Sequence, residues 1–253
     1  MLYVGTSGWQ YPHWRRVFYP EKLTQRTWLQ YYAERFQTAE VNTTFYNLPE
    51  RSVFERWRAS TASDFTFALK MSRYLTHLKR LRDAQAPVRL FLERAAGLGE
   101  KRGPILLQLP PRFRVNVPLL AAALEVFDRS VRVAVEFRDE TWFTDETRQA
   151  LESRGVALCL ADSPRRKQPL WRTAAWSFVR FHEGAGSHAP GYERDALQRW
   201  VARIAQMWSP SEDVYAYFNN DAFGYAIKDA VTFAELARAA GLSPTRVPSA
   251  DAA

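Results

Sequence analysis

Only one cysteine, Cys159, occurs in the 253 residues, so no internal disulfide can form. Its setting in the apolar run VALCLAD reads as a buried structural thiol rather than a nucleophile. No apolar run reaches the roughly 18 residues that a bilayer-spanning helix needs, so no membrane association is expected. The amino end enters an apparent strand directly, without the basic stretch and apolar core of a secretory signal, and a cytoplasmic protein is the expectation. Missing too are a P-loop, H-E-x-x-H, G-x-S-x-G and paired C-x-x-C, which removes several common reaction classes. The first strand's turn, GTSGW, lacks the G-x-G-x-x-G spacing that brings a pyrophosphate to a helix N-terminus. No repeat at solenoid spacing is visible.

What is present describes one globular domain. The hydrophobic fraction is 47% and the charged fraction 25%, a folded rather than a disordered balance. The net charge of +8 and pI near 9.7 suit polyanions. Many of the cations, however (Arg26, Arg35, Arg56, Arg148, Arg199, Arg203, Arg238), fall on helical segments and read as solvated faces.

The stretch Val131 to Trp142, VRVAVEFRDETW, organises the rest. With a period of two, Val131, Val133, Val135 and Phe137 form one face, and Arg132, Ala134, Glu136 and Arg138 the other. The second face passes through a small residue and ends in an acid and a base. That is the pattern of a strand in a parallel barrel, buried on both faces with its chemistry at the C-terminal mouth.

Similar strands recur along the chain, at Leu2–Ser7, Thr38–Tyr46, Phe65–Ser72, Gly103–Pro111, Val156–Asp162, Trp176–His182 and Val214–Asp221. Helical segments fall between them, from Thr24 to Phe36, Ser52 to Ser60, Pro87 to Leu98, Val117 to Phe127, Thr144 to Arg154 and Asp195 to Trp208. A last one runs from Ala222 to Ala240. Eight strands and their helices in this length predict a single α/β domain, a (β/α)₈ TIM barrel over residues 1–242. A doubly wound open sheet is the alternative. The Pro- and Ala-rich tail, 243–253, is expected to fray.

The motifs VGTSGWQYPHW, FYP, AEVNTTFYNLP, FALKMSRYLTH, GPILLQLPP, VEFRDETW, VRFH and YAYFNND resemble, in order, those of the domain-of-unknown-function 72 (YecE-like) family. The resemblance runs from about Leu2 to Ala239. It implies a TIM-barrel fold, and it brings no established reaction and no catalytic residues.

The site is therefore read from position. Polar groups at the strand C-termini are Glu40, Asn42, Lys70, Ser72, Gln108, Glu136, Arg138, Asp162, Arg180, His182, Asn219, Asn220 and Asp221. Several ionisable groups at one barrel end are costly to stability and typical of a site. Lys70, Arg138 and Arg180, with Arg73, His77 and Lys79 nearby, would attract an anion. Glu40, Glu136 and His182 are the expected catalytic acids and bases. Asn42, Ser72, Gln108 and Asn219 complete a substrate-binding set. Trp9, Trp14, Tyr46 and Trp142 either stack on a base or sugar or pack the rim.

The leading expectation is an enzyme acting on an anionic, phosphorylated substrate by hydrolysis or acid–base chemistry. In the hydrolytic version Glu136 or Glu40 activates water, the three cations hold the anion and His182 protonates the leaving group. A non-catalytic binder of single-stranded nucleic acid, using the basic stretch RYLTHLKRLR, is the rival from another class. A sugar isomerase or epimerase is a third reading. No motif names a cofactor. Glu40, Glu136, Asp162, His182 and Asp221 have the ligand types for a divalent metal, but the interleaved cations would already neutralise these acids, so metal use is the lesser expectation.

Overall fold

Alternating apolar and polar residues make eight short strands: β1 (Leu2–Ser7), β2 (Thr38–Val41), β3 (Thr66–Lys70), β4 (Arg102–Gln108), β5 (Val133–Glu136), β6 (Ala157–Asp162), β7 (Trp176–Phe181) and β8 (Asp213–Phe218). All pair in parallel, each with its sequence neighbour, and β1 closes on β8 with Leu2 opposite Val214 and Thr6 opposite Phe218. The result is a (β/α)₈ barrel. This computed structural model describes residues 1–165, 167–185 and 190–249.

The period of two sorts the strand residues into two buried clusters. Val4, Val41, Phe67, Leu69, Ile105, Leu107, Val133, Val135, Leu158, Leu160, Val179, Phe181, Ala216 and Phe218 join the outer cluster, against the helices. The alternate positions, Ala68, Leu106, Ala134, Ala157, Cys159, Trp176, Phe178, Tyr215 and Tyr217, fill the lumen. A lumen packed by side chains is a core and not a pore. The lumen-facing hydroxyl of Tyr217 lies 2.7 Å from the Thr38 hydroxyl, so even this polar tip is satisfied.

The outer layer comprises α1 (Trp28–Arg35), a one-turn α2 (Thr43–Tyr46), α3 (Arg51–Ala59), α4 (Gln85–Ala95), α5 (Val117–Glu125), α6 (Asp145–Glu152), α7 (Arg194–Met207) and α8 (Tyr225–Ala239). Among the described residues no helix joins β6 to β7, unlike the other crossovers. None is long and apolar enough to cross a membrane.

Two local expectations are corrected. The strand expected from Thr38 to Tyr46 stops at Val41. Beyond it Asn42 turns helical and the Thr44 hydroxyl donates to the carbonyls of Val41 (3.0 Å) and Lys70 (2.7 Å). Short hydroxyl and amide side chains that bond the backbone compete with the ladder in this way. The tail is not loose either, as far as it is described. Thr245 N–H donates to Leu2 O at 2.8 Å, and the Thr245 hydroxyl accepts from Val4 N–H at 3.1 Å. Arg246 reaches Ala33 O and Asp64. β1 needs these partners because its first residues extend past the end of β2, which pairs only from Thr6 onward. Residues 250–253 of the expected frayed tail lie outside the described residues.

Replacing Thr245 by Val keeps the shape and strips the buried Val4 amide of its acceptor. The expected loss is about 1–3 kcal/mol of unfolding free energy in urea, with an unchanged m-value.

Candidate functional site

β2, β5 and β7 each end on the lumen side in a charged residue: Glu40, Glu136 and Arg180. None is more than 1% exposed. Arg180 spans the two acids. Its Nε and Nη2 donate to Glu40 Oε2 and Oε1, both at 2.8 Å, and its Nη1 donates to Glu136 Oε2 at 2.6 Å. A planar fork meeting one carboxylate edge-on and a second at its corner is a geometry that only arginine supplies. Gln108, at the end of β4, donates its amide to both oxygens of Glu136 at 3.0 Å. Arg138 Nε lies 3.3 Å from Glu136 Oε1.

Burial by itself would raise the Glu136 carboxyl, but Arg180, His182 and Arg138 outweigh it and hold the group well below the usual carboxylate range. Its neighbours thus favour the ionised form of Glu136. His182 Nε2 approaches Glu136 Oε1 at 3.3 Å, and its Nδ1 lies 3.1 Å from Asn219 Nδ2, just past β8. The imidazole is gripped at both nitrogens, with Glu136 on one side and an amide on the other.

Lys70, at the end of β3, differs from its neighbours. It is 7% exposed, and its ammonium sits 4.2 Å from the centre of the Phe45 ring. Among the described residues no oxygen accepts a hydrogen bond from it, and the nearby acids Glu40 and Glu136 bond Arg180 instead. Burial, then the Arg180 charge, pull its pKa down to about 8 in spite of the two acids. Phe45 also meets His77 edge-on, with ring centres 4.9 Å apart. His77 rides on a π-helical turn, Tyr74–Leu78, inserted after β3. Burial, Lys70 and Arg138 lower its pKa to about 4, so it is neutral at physiological pH.

At the opening between β1 and β2, Asn42 Nδ2 donates to Ser7 O at 3.3 Å, while Asn42 Oδ1 and Ser7 Oγ are buried and have no hydrogen-bond partner among the described residues. Asn42 also borders a cavity of about 160 Å³ with Gly8, Trp9, Gln10, Tyr11, Val41 and Thr43. Ser7 is the position that the sequence reading passed over. It lies in phase with Tyr3 and Gly5, the same lumen-side rule that found Glu40 and Glu136.

Glu40, Lys70, Gln108, Glu136, Arg138, Arg180, His182 and Asn219 therefore gather at one end of the barrel. The other candidates do not join them. Asp162 takes the outer-face phase of Leu158 and Leu160 and lines a cavity with Tyr192, Trp200 and Arg203. Asp221 accepts from Trp14 Nε1 at 2.5 Å and pairs with His13 at 3.0 Å, tying the first loop to the last. The four acids and one histidine considered as metal ligands are thus divided. Among the described residues no group of three or more His, Cys, Asp or Glu is arranged to hold a metal ion. Ser72 Oγ accepts from Tyr74 N–H at 3.3 Å and starts the π-turn. Trp9 is 3% exposed and packs edge-on against Trp57 and Phe67. Trp142 is fully buried, stacked on Phe137, with Nε1 donating to Phe113 O at 2.6 Å. Trp9 also lines the cavity beside Asn42, whereas Trp142 is a packing residue and offers no face to a ligand. Tyr46, 70% exposed, is free to do so. Asn220 donates to Asp229 and Pro190 O, bracing α8.

Two stability changes of opposite sign follow. Arg180→Met strands two fully buried carboxylates and should cost about 3–5 kcal/mol in chemical denaturation. Lys70→Met removes an ammonium that folding desolvates. The penalty is absent above the free-lysine pKa of 10.5, grows as pH falls towards about 8, and is constant below. The variant should gain on the order of 2–3 kcal/mol at pH 7, and nothing above pH 11, in paired denaturant titrations.

The family model described as "Protein of unknown function DUF72" matches residues 3–252. UPF0759 protein YecE of Escherichia coli (strain K12) is 29% identical over 245 residues, which cover 87% of this chain and 86% of that protein. A crystal structure of a DUF72 family protein from Thermotoga maritima MSB8 superposes with a TM-score of 0.82 at 26% identity, covering 94% of this chain and 99% of that one. A DUF72 family protein from Enterococcus faecalis V583 shares the fold, with a TM-score of 0.77 at 19% identity over 94% of this chain and 96% of its own. By its lumen pattern, its ordered motifs and a family match along nearly its whole length, this chain belongs to the DUF72 family.

Proposed function

We propose that the protein is an enzyme that binds a small anionic substrate, phosphorylated or carboxylated, at the barrel mouth and works on it by acid–base chemistry. The observation that carries this reading is Lys70. Among the described residues this buried ammonium has no oxygen partner, a destabilising arrangement that a ligand oxygen would relieve. Arg138, partly exposed beside the rigid lattice, supplies a second cation.

Within this reading the roles read from sequence shift. Arg180 spends its donors on Glu40 and Glu136, so it acts as the brace of the site and not as the anion clamp. Glu136 is too firmly ionised to activate water strongly; it orients His182 and stabilises that ring when it carries a second proton. Lys70 and His77 are the two groups whose lowered pKa values leave unprotonated nitrogen available near neutral pH. Trp9, Trp14 and Trp142 are buried, which leaves single-stranded nucleic acid few faces to stack on and supports a small ligand.

The test is turnover of a panel of phosphomonoesters, sugar phosphates and small oxo acids, followed by NMR. Lys70→Met, soundly folded, should lose at least about 100-fold in kcat/KM. For a step that uses the neutral amine, wild-type kcat/KM should rise as pH passes through about 8. A wild-type protein inert to the whole panel, or a Lys70→Met variant as active as wild type, would contradict the assignment.

A further inference from the structure

We propose that Lys70 is an imine-forming lysine, and that the substrate of the site is an aldehyde or ketone carrying a phosphate or carboxylate group. This deepens the acid–base reading above and rests on it.

The contrast with Lys101 shows why. Both side chains are buried, at 7% and 9% exposure. Lys101 is held structurally: its Nζ donates to Arg58 O (2.6 Å), Thr61 O (2.7 Å) and the Thr61 hydroxyl (3.0 Å). Three oxygens satisfy its three donors, the ordinary condition for a buried ammonium. Lys70 has the Phe45 ring in their place. A lysine kept for its charge would be paired with one of the acids next to it, yet both are bound to Arg180. A nucleophile needs a free electron pair, and an apolar wall with cationic neighbours is the environment that provides one. The position is also right, at the C-terminal end of a barrel strand and facing the lumen.

His77 supplies the complementary group. Its Nδ1 lies 2.9 Å from Thr76 Oγ1, and that hydroxyl donates to Ser72 O at 3.4 Å. In the arrangement where that hydroxyl donates to Ser72 O, His77 Nδ1 carries the hydrogen and Nε2 keeps its lone pair. The imidazole ring stands beside the same Phe45 ring as Lys70.

The step balances without any outside redox partner. The neutral Nζ adds to the carbonyl carbon, and the C=O π pair moves to oxygen, which takes a proton. Nitrogen loses a proton, the hydroxyl leaves as water with another, and a protonated C=N⁺ remains. Amine, carbonyl and one proton thus give iminium and water. The cation takes the place of the ammonium next to Glu40 and Glu136, so the charge balance of the lattice is unchanged. The iminium then draws electrons from the neighbouring carbon, whose proton His77 Nε2 can accept to leave an enamine. Arg138 meets the anionic group.

The experiment is reductive trapping on the whole protein. Wild type is mixed with dihydroxyacetone phosphate or pyruvate, treated with borohydride, and read by intact mass and peptide mapping. The expected result is a single adduct on Lys70, at least tenfold ahead of exposed Lys22 and Lys228, increasing as pH rises through about 8. Lys70→Arg keeps the cation and should give no adduct. Labelling spread evenly over surface lysines, or none with either carbonyl, overturns the imine. If the panel above is still turned over in a Lys70-dependent way, the acid–base reading survives without it. Because the mapping is made on wild type, a variant that fails to fold does not affect the result.

Discussion

Arg180 and the two carboxylates it joins form a buried unit with one net negative charge. Taking three ions out of water costs several kcal/mol each, and their mutual attraction repays this only where every donor and acceptor is matched. Here the matching is close: three guanidinium nitrogens meet three carboxylate oxygens, and Gln108 covers Glu136 from β4. The unit links β2, β5 and β7, which lie far apart around the barrel wall, so it also fixes the shape of the lumen where they end. The neighbouring features answer to that arrangement. His182 is oriented by Glu136, and among the described residues Lys70 makes no hydrogen bond to either acid, both of which bond Arg180.

The lumen rule accounts for most of what was legible in the sequence. Glu40, Lys70, Gln108, Glu136 and Arg180 each end a strand in phase with small or aromatic lumen residues, and a period of two suffices to align them. The same phase puts Asp162 with Leu158 and Leu160 on the other face. What sequence could not supply was the pairing among these groups. Counting cations suggested an anion clamp of three, whereas one of the three is absorbed by the acids. Charge counting cannot tell a cation that neutralises its neighbours from one left over.

The aromatics show a different limit. The loop after β1 could have been a lid or packing. Trp14 is buried with Nε1 on Asp221, Tyr19 stacks on Trp28 at 4.6 Å, and its hydroxyl donates to Trp9 O at 2.6 Å. A large ring with one polar tip reads the same in sequence whether that tip meets a ligand or a carbonyl. β2 was drawn too long for a related reason. Thr43, Thr44 and Phe45 have strand propensity, and only the bonds from the Thr44 hydroxyl to Val41 O and Lys70 O reveal why the backbone turns. That turn sets Phe45 over Lys70, so the misread residues create the amine's apolar wall.

The bonds between Leu2, Val4 and Thr245 bear on how such a chain acquires its shape. β1 precedes the other seven strands and has one native partner close in sequence, β2, and another far along the chain, β8 with residues 243–245. During synthesis the first strand must wait, with one edge open, until β8 has left the ribosome. Ring closure is therefore a late event governed by the longest loop in the chain. Partly made copies expose the edge of β1 to one another, and chaperone demand should concentrate at that stage.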